Sequence, residues 1–347
     1  MTSRQRVMGA LSYKGYDRIP AFYKATPEFN EKFMEYIRGM GRLDTDFRAV
    51  EPEYCGPELR LFDDGSREGL FGERYKKISN TYGAYDEAVF LPFCNISDVA
   101  ELKGYRFPSP HWYDYSHIKQ QCIEFGEYAI VFGGGGRMDF INGIARCRGV
   151  EQVLIDIAVE DPVYLKLIEK RHEFYYSVFE NTLKAAEGMI DIIYIGEDFG
   201  GQTNLLISPE KFRKIFKPYL KKYIDLGHKY GAKVMMHSCG SVRKLIPEFI
   251  DMGLDILDAV QVDAADMDIK ELHGEFHGKI VFHGSMSVQS LLLSGTLDDI
   301  KREVELRLDL FKDGGMILGP THSIQPNTPV QNILEMYKCA GVFPCNW

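Results

Sequence analysis

The sequence lacks several things at once, and each lack narrows the field. It lacks a basic excess: 41 Lys and Arg stand against 50 Asp and Glu, a formal charge of −9. Nucleic acids and anionic membrane surfaces attract cationic faces, so neither is expected as a partner. It lacks any apolar run of bilayer-spanning length. Its opening, MTSRQRVMGALSYKGYDRIP, reads as a short amphipathic helix and a turn, not as a secretory leader. It lacks a disulfide framework: the seven cysteines, at 55, 94, 122, 147, 239, 339 and 345, are odd in number and scattered, as in a reduced, cytoplasmic chain. It lacks Pro/Gly/Ser-rich linkers and charge blocks, so residues 1–347 are expected to form one domain. Aromatics are what it has in quantity. Its 22 Phe and 20 Tyr can fill a core and still leave room for an apolar or aromatic pocket.

Residues 1–120 are the least periodic and read as N-terminal helices and loop decoration. From residue 128 a rhythm sets in. EYAIVFGGGG (127–136) reads as a strand running into glycines, and 161–188 as a long helix with apolar residues at helical spacing. DIIYIGEDFGG (191–201) is a strand ending in two acids. Ser208-Pro209 opens a helix as cap and first-turn residue, and Gly231 ends it. Further strands are expected at AKVMMHSCG, DILDAVQVD (255–263), KIVFHGSM (279–286) and GMILGPTH (315–322), with helices between them and a last helix at 328–341. Strands that are nearly continuous apolar runs, alternating with helices, indicate a parallel sheet buried on both faces. The length favours a closed (β/α)8 TIM-type barrel over an open sheet.

Each strand ends in residues capable of chemistry: Arg137 and Asp139; Glu197 and Asp198; His237 and Cys239; Gln261 and Asp263; His283; His322. In a barrel these ends converge on one mouth. Residues i and i+2 of a strand point the same way, so His237 and Cys239 aim together while Ser238 faces away. An imidazole and a thiolate converging on one point suit zinc. A catalytic zinc takes about three protein ligands, and His322 is the first candidate for the third, with Glu197, Asp198 and His283 in reserve. GGGGR (133–137) matches no phosphate-loop spacing. The glycines are expected to keep the mouth open to a large ligand.

EDFGGQTNLLISPEKF, KVMMHSCGSV, ILDAVQVDAADMDIKELHGEFHGKIVFHGSMSVQ and ILGPTHSIQPNTPVQNILEMY together resemble the uroporphyrinogen decarboxylase superfamily, as does the start RQRVMGALSYKGYDRIP. They are most similar to its branch of zinc-containing, cobalamin-dependent methyltransferases. The resemblance covers nearly the whole chain and implies a (β/α)8 barrel with its site at the C-terminal mouth. The decarboxylase arm holds its many-carboxylate substrate with arginines from an early R-Q-A-G-R stretch. Here that stretch is AFYKATPEF, without them. The methyltransferase arm carries H-x-C and a distant Cys as zinc ligands. His237 and Cys239 match the first two, and His322, in Thr321-His322-Ser323-Ile324-Gln325-Pro326, stands where the third ligand is expected.

The resemblance thus implies methyl transfer between a small O-, N- or S-methyl compound and a corrinoid (cobalamin) protein. His237, Cys239 and His322 would hold zinc, and Glu197 or Asp198 would move protons or serve as a further ligand. Arg137, Gln261, Asp263, His283 and Gln325 would orient the substrate. The rivals are a metal-free lyase of the decarboxylase type and a protein that binds a corrinoid or small ligand without turnover.

Overall fold

The computed structural model describes residues 1–80 and 83–343. Its main sheet has seven parallel strands in sequence order. They are β1 (Phe47–Ala49), β2 (Ala129–Met138), β3 (Ile192–Gly196), β4 (Lys233–His237), β5 (Ile256–Val260), β6 (Val281–Met286) and β7 (Met316–Pro320). Helices lie between consecutive strands from β2 onward, the longest being Pro162–Ala186. It starts sharply because Asp161 accepts from the backbone N–H of Val163 and Tyr164 and Pro162 holds the first turn. Every residue of β3, β5, β6 and β7 is buried, as a two-sided parallel sheet requires.

The sheet curls around its own core. Phe47, Val131, Ile192, Met235, Ile256, Val281 and Ile317 point inward and meet Val7 and Leu11 of the helix Ser3–Leu11, which plugs one end. The alternate residues, such as Phe132, Ile193, Val234, Leu257 and Phe282, pack outward against the helices. Each such apolar side chain contributes about 1.5–3 kcal/mol by burial, so the alternation fixes register as well as stability.

The expected eight strands resolve into seven plus a shorter element. Between β7 and β1, Pro20–Phe22 makes a bridge rather than a strand. Phe22 N–H donates to Leu318 O and Leu318 N–H to Pro20 O, both at 2.8 Å, and Asp46 N–H donates to Ala21 O at 3.1 Å. The N-terminal decoration contains an antiparallel hairpin, Arg74–Asn80 with Gly83–Phe90, that aperiodic reading treated as loop. The described cysteines are all free, and Cys345 lies outside the described residues. No helix among the described residues is long and apolar enough to cross a membrane.

Candidate metal and catalytic site

Register places the first pair. In the parallel pairing of β4 with β5, His237 lies directly opposite Asp258, and His237 Nδ1 hydrogen-bonds Asp258 Oδ2 at 2.7 Å. Asp258 is a hub. Tyr194 donates its hydroxyl to Oδ2, and His283 Nδ1 reaches Oδ1. Tyr194, His237, Asp258 and His283 thus come from β3, β4, β5 and β6 and form one buried polar layer above Ile192, Met235, Ile256 and Val281. The Asp258–Ala259 peptide is cis.

With Nδ1 engaged, His237 presents Nε2 to the mouth. It lies 3.5 Å from Asp198 Oδ1. The same oxygen accepts from the Cys239 N–H at 3.2 Å and from its Sγ–H at 3.3 Å. Ligand atoms of Asp198, His237 and Cys239 all lie within 4.8 Å of one another. Close backbone contact sets this spacing. A Cβ on Gly200 would sit 2.6 Å from Cys239 O, and one on Gly240, at φ +82°, would sit 2.5 Å from Gly200 C. Only glycines let the Asp198–Gly201 turn lie directly on the His-Ser-Cys-Gly turn. Ser238 faces away as expected and accepts from Phe199 N–H at 3.1 Å.

Electrostatics follow from this geometry. Burial by itself would lower the His237 imidazole. The hydrogen bonds to Asp258 and Cys239, with the charges of Asp258 and Asp198, outweigh burial and lift it to about 10. For Asp258 burial favours the neutral acid, but His283 and His237 override it and hold the carboxyl well below its usual range. Burial raises the Cys239 thiol, and His237 only partly offsets it.

The remaining sequence-nominated residues divide into neighbours and outliers. The His322 ring centroid is 6.3 Å from that of His237, and the side chain is exposed beyond the end of β7, outside the tight donor group. Loss of water around the ring lowers its imidazole first, and the positive charges of Lys24 and His237 lower it further. Glu197 points the other way from Asp198, is fully buried, and accepts from the N–H groups of Phe140 (2.7 Å) and Ile141 (3.1 Å). Burial and Asp139 beside it push its carboxyl well above the usual range. Gln261 is buried and backs the site: its Oε1 accepts from Gly240 N–H at 2.9 Å. Arg137 lies over the Phe132 ring and is paired with Glu51. Asp263, exposed, accepts from Ser290 Oγ at 2.6 Å, and Gln325, also exposed, donates to Ser323 O at 2.8 Å. The glycine run is strand rather than loop. A Cβ on Gly135 would meet His237 Cβ and the Tyr194 hydroxyl at 3.1 Å, while Gly134 and Gly136 border open space.

Sequence reasoning passed over Tyr194, Asp258 and Asn142. The Asn142 amide donates to Asp198 Oδ2 at 2.8 Å. Tyr194 and Asp258 carried a signal, since each sits two residues after an inward-facing isoleucine.

The donor set fits zinc. A catalytic zinc takes three protein ligands from nitrogen, sulfur and oxygen. Corners of a tetrahedron with bonds of about 2.0–2.3 Å lie about 3.3–3.8 Å apart. The Asp198 Oδ1 separations from Cys239 Sγ and His237 Nε2, 3.3 and 3.5 Å, fall in that range. The Asp258 carboxylate on the far nitrogen of His237 is the partner that metal-binding histidines usually have.

Comparison with known proteins agrees with this architecture. A methyltransferase from Methanosarcina mazei shares the fold, with a TM-score of 0.69 over 99% of both chains at 16% identity. No curated protein matches the chain. The uroporphyrinogen decarboxylase (URO-D) family profile matches residues 146–341, which is more than half of the 347 residues. This span includes β3 to β7 and every member of the Asp198–His237–Cys239 group, and the chain belongs to the uroporphyrinogen decarboxylase family.

Proposed function

We propose that this protein is a zinc-dependent methyltransferase that moves a methyl group between a small O-, N- or S-methyl compound and a corrinoid protein. The observation that carries the reading is the gathering of Asp198, His237 and Cys239, with His237 oriented by Asp258. These three hold the metal, in place of the His237, Cys239 and His322 set expected from the sequence. Zinc in such a site supplies Lewis acidity to the oxygen, nitrogen or sulfur that carries or accepts the methyl group.

The chain's own residues do the rest. Asp258 keeps Nδ1 of His237 engaged, so that Nε2 faces the mouth. Asp198 is the strand-end acid at the chemistry, whereas Glu197 secures the loop before helix Asn142–Arg148. His322, on the rim and 6.3 Å from His237 between ring centroids, is a substrate contact that can take or return a proton. The fold shared with the Methanosarcina mazei methyltransferase supports the reading, and the seven strands with the Pro20–Phe22 bridge are read as a barrel closed around it.

A metal-free lyase reading draws on the family's name. The two separate on metal content, measured by elemental mass spectrometry on protein purified without added metal. The expected result is one zinc per chain, lost in His237→Ala and Cys239→Ala, reduced in Asp198→Ala and retained in His322→Ala. Loaded protein should then exchange methyl groups with cob(I)alamin or methylcobalamin. Protein that neither contains nor takes up zinc sinks the proposal and puts the lyase first.

A further inference from the structure

The two oxygens of Asp198 have different tasks. Oδ1 faces His237 Nε2 at 3.5 Å and the N–H and Sγ–H of Cys239 at 3.2 and 3.3 Å. Oδ2 accepts from the Asn142 side-chain amide at 2.8 Å. Asn142 is itself fixed from below. Its backbone N–H donates to Asp139 Oδ1 at 2.8 Å, and the two preceding N–H groups, of Ile141 and Phe140, donate to Glu197. Asp139 and Glu197 are buried and hydrogen-bonded to each other. The Arg171 guanidinium braces the same turn by donating to Met138 O and Asp139 O at 2.8 Å. Neighbouring acids therefore grip one loop in opposite senses: Glu197 receives its backbone, and Asp198 receives its side chain.

From this geometry we infer that Asn142 is a positioning residue that restricts Asp198 to one-oxygen donation toward His237 and Cys239, and so keeps the site four-coordinate. The inference rests on the metal reading above. A carboxylate free at both oxygens can bind an ion through both, as in the oxygen-rich sites of larger cations. With Oδ2 held by an amide that is anchored to a buried turn, only Oδ1 is left to face the two softer donors. Four-coordinate nitrogen, sulfur and oxygen donation is what zinc favours.

The test uses Co(II) as a visible probe in place of zinc, plus zinc competition against a chelator, on the wild type and on Asn142→Leu. The variant is close in size and has no donor. Wild type should give the intense visible bands of four-coordinate Co(II). Asn142→Leu should give the weaker, shifted bands of a higher coordination number, with zinc affinity reduced about 10–100-fold. Thermal unfolding of the metal-free variant checks that it folds. If it does not, Asn142→Ser, too short to reach Oδ2, replaces it with the same expected outcome. A wild-type spectrum and unchanged zinc affinity in the variant overturn the inference while leaving the metal site standing. Wild-type protein that binds neither ion overturns the proposed function itself.

Discussion

Replacing Asp258 by Asn tests the buried layer most directly, because it keeps the shape and removes only the charge and one acceptor. Asp258 accepts from three side chains on three other strands: Tyr194 and His237 at Oδ2 and His283 at Oδ1. In the best arrangement for the variant, the amide oxygen takes the place of Oδ2 and keeps Tyr194 and His237. The NH2 then confronts His283 Nδ1, which must become an acceptor and move its proton to Nε2. That nitrogen is buried and has no partner among the described residues. Loss of charge assistance from the two retained bonds costs about 1 kcal/mol each, and the stranded donor about 1–3 kcal/mol. The total, on the order of 3–5 kcal/mol, agrees with what removal of one partner from a buried charged group costs. Metal affinity should fall about 10–100-fold, because His237 loses the carboxylate that orients it. Urea unfolding of the metal-free protein reads the first effect, and zinc competition against a chelator reads the second. An Asp258→Asn protein with an unchanged urea midpoint and a zinc affinity within about twofold of wild type would refute the hub.

Three further outcomes are expected. At pH 7 zinc uptake should release two protons, one from His237, lifted to about 10, and one from the Cys239 thiol, also raised. A dye-monitored titration would count them, and a count of zero would show that these groups are not the ligands. Gly200→Ala puts a Cβ 2.6 Å from Cys239 O, so it should cost about 1–3 kcal/mol or more and weaken zinc binding. A variant with the wild-type melting temperature and zinc affinity would contradict the close packing of the two turns. Burial lowers His172 to about 4, with its ring among Tyr176, Tyr219 and Tyr223. The folded-state value lies below the unfolded one near 6.5, so the neutral ring is the favoured form. The stability this ring contributes is intact above pH 6.5 and is lost as pH falls toward 4, at well under about 1.4 kcal/mol per unit because solvent screens the half-buried ring. His172→Phe should flatten denaturant stability over that window, and an undiminished slope would exclude His172 as the cause.

The curled parallel sheet and the strand-end position of the candidate site were legible because both depend on local pattern. Continuous apolar runs such as KVMMH and IIYIG announce buried parallel strands, and the polar residues that end them mark the mouth. What stayed hidden depends on register and on turns. Asp258 and Tyr194 are embedded in apolar runs and become conspicuous only when β3, β4 and β5 are aligned, with Gly196 and Asp258 on either side of His237. Their inward parity was nonetheless present in the two-residue step from Ile192 and Ile256. His322 drew attention as the end of a strand, but β7 stops at Pro320, so the parity argument that works for His237 does not extend to it. The two acids after β3 could not be told apart from sequence, since each has the same chemistry and adjacent positions on an extended chain face opposite ways. Residues 140–142, which open helix Asn142–Arg148, distinguish them: the backbone N–H groups of Phe140 and Ile141 claim Glu197, and the Asn142 side-chain amide holds one oxygen of Asp198 and leaves the other facing the cluster. A residue 56 positions away therefore sets the two acids apart, and only the folded chain shows it to be their neighbour.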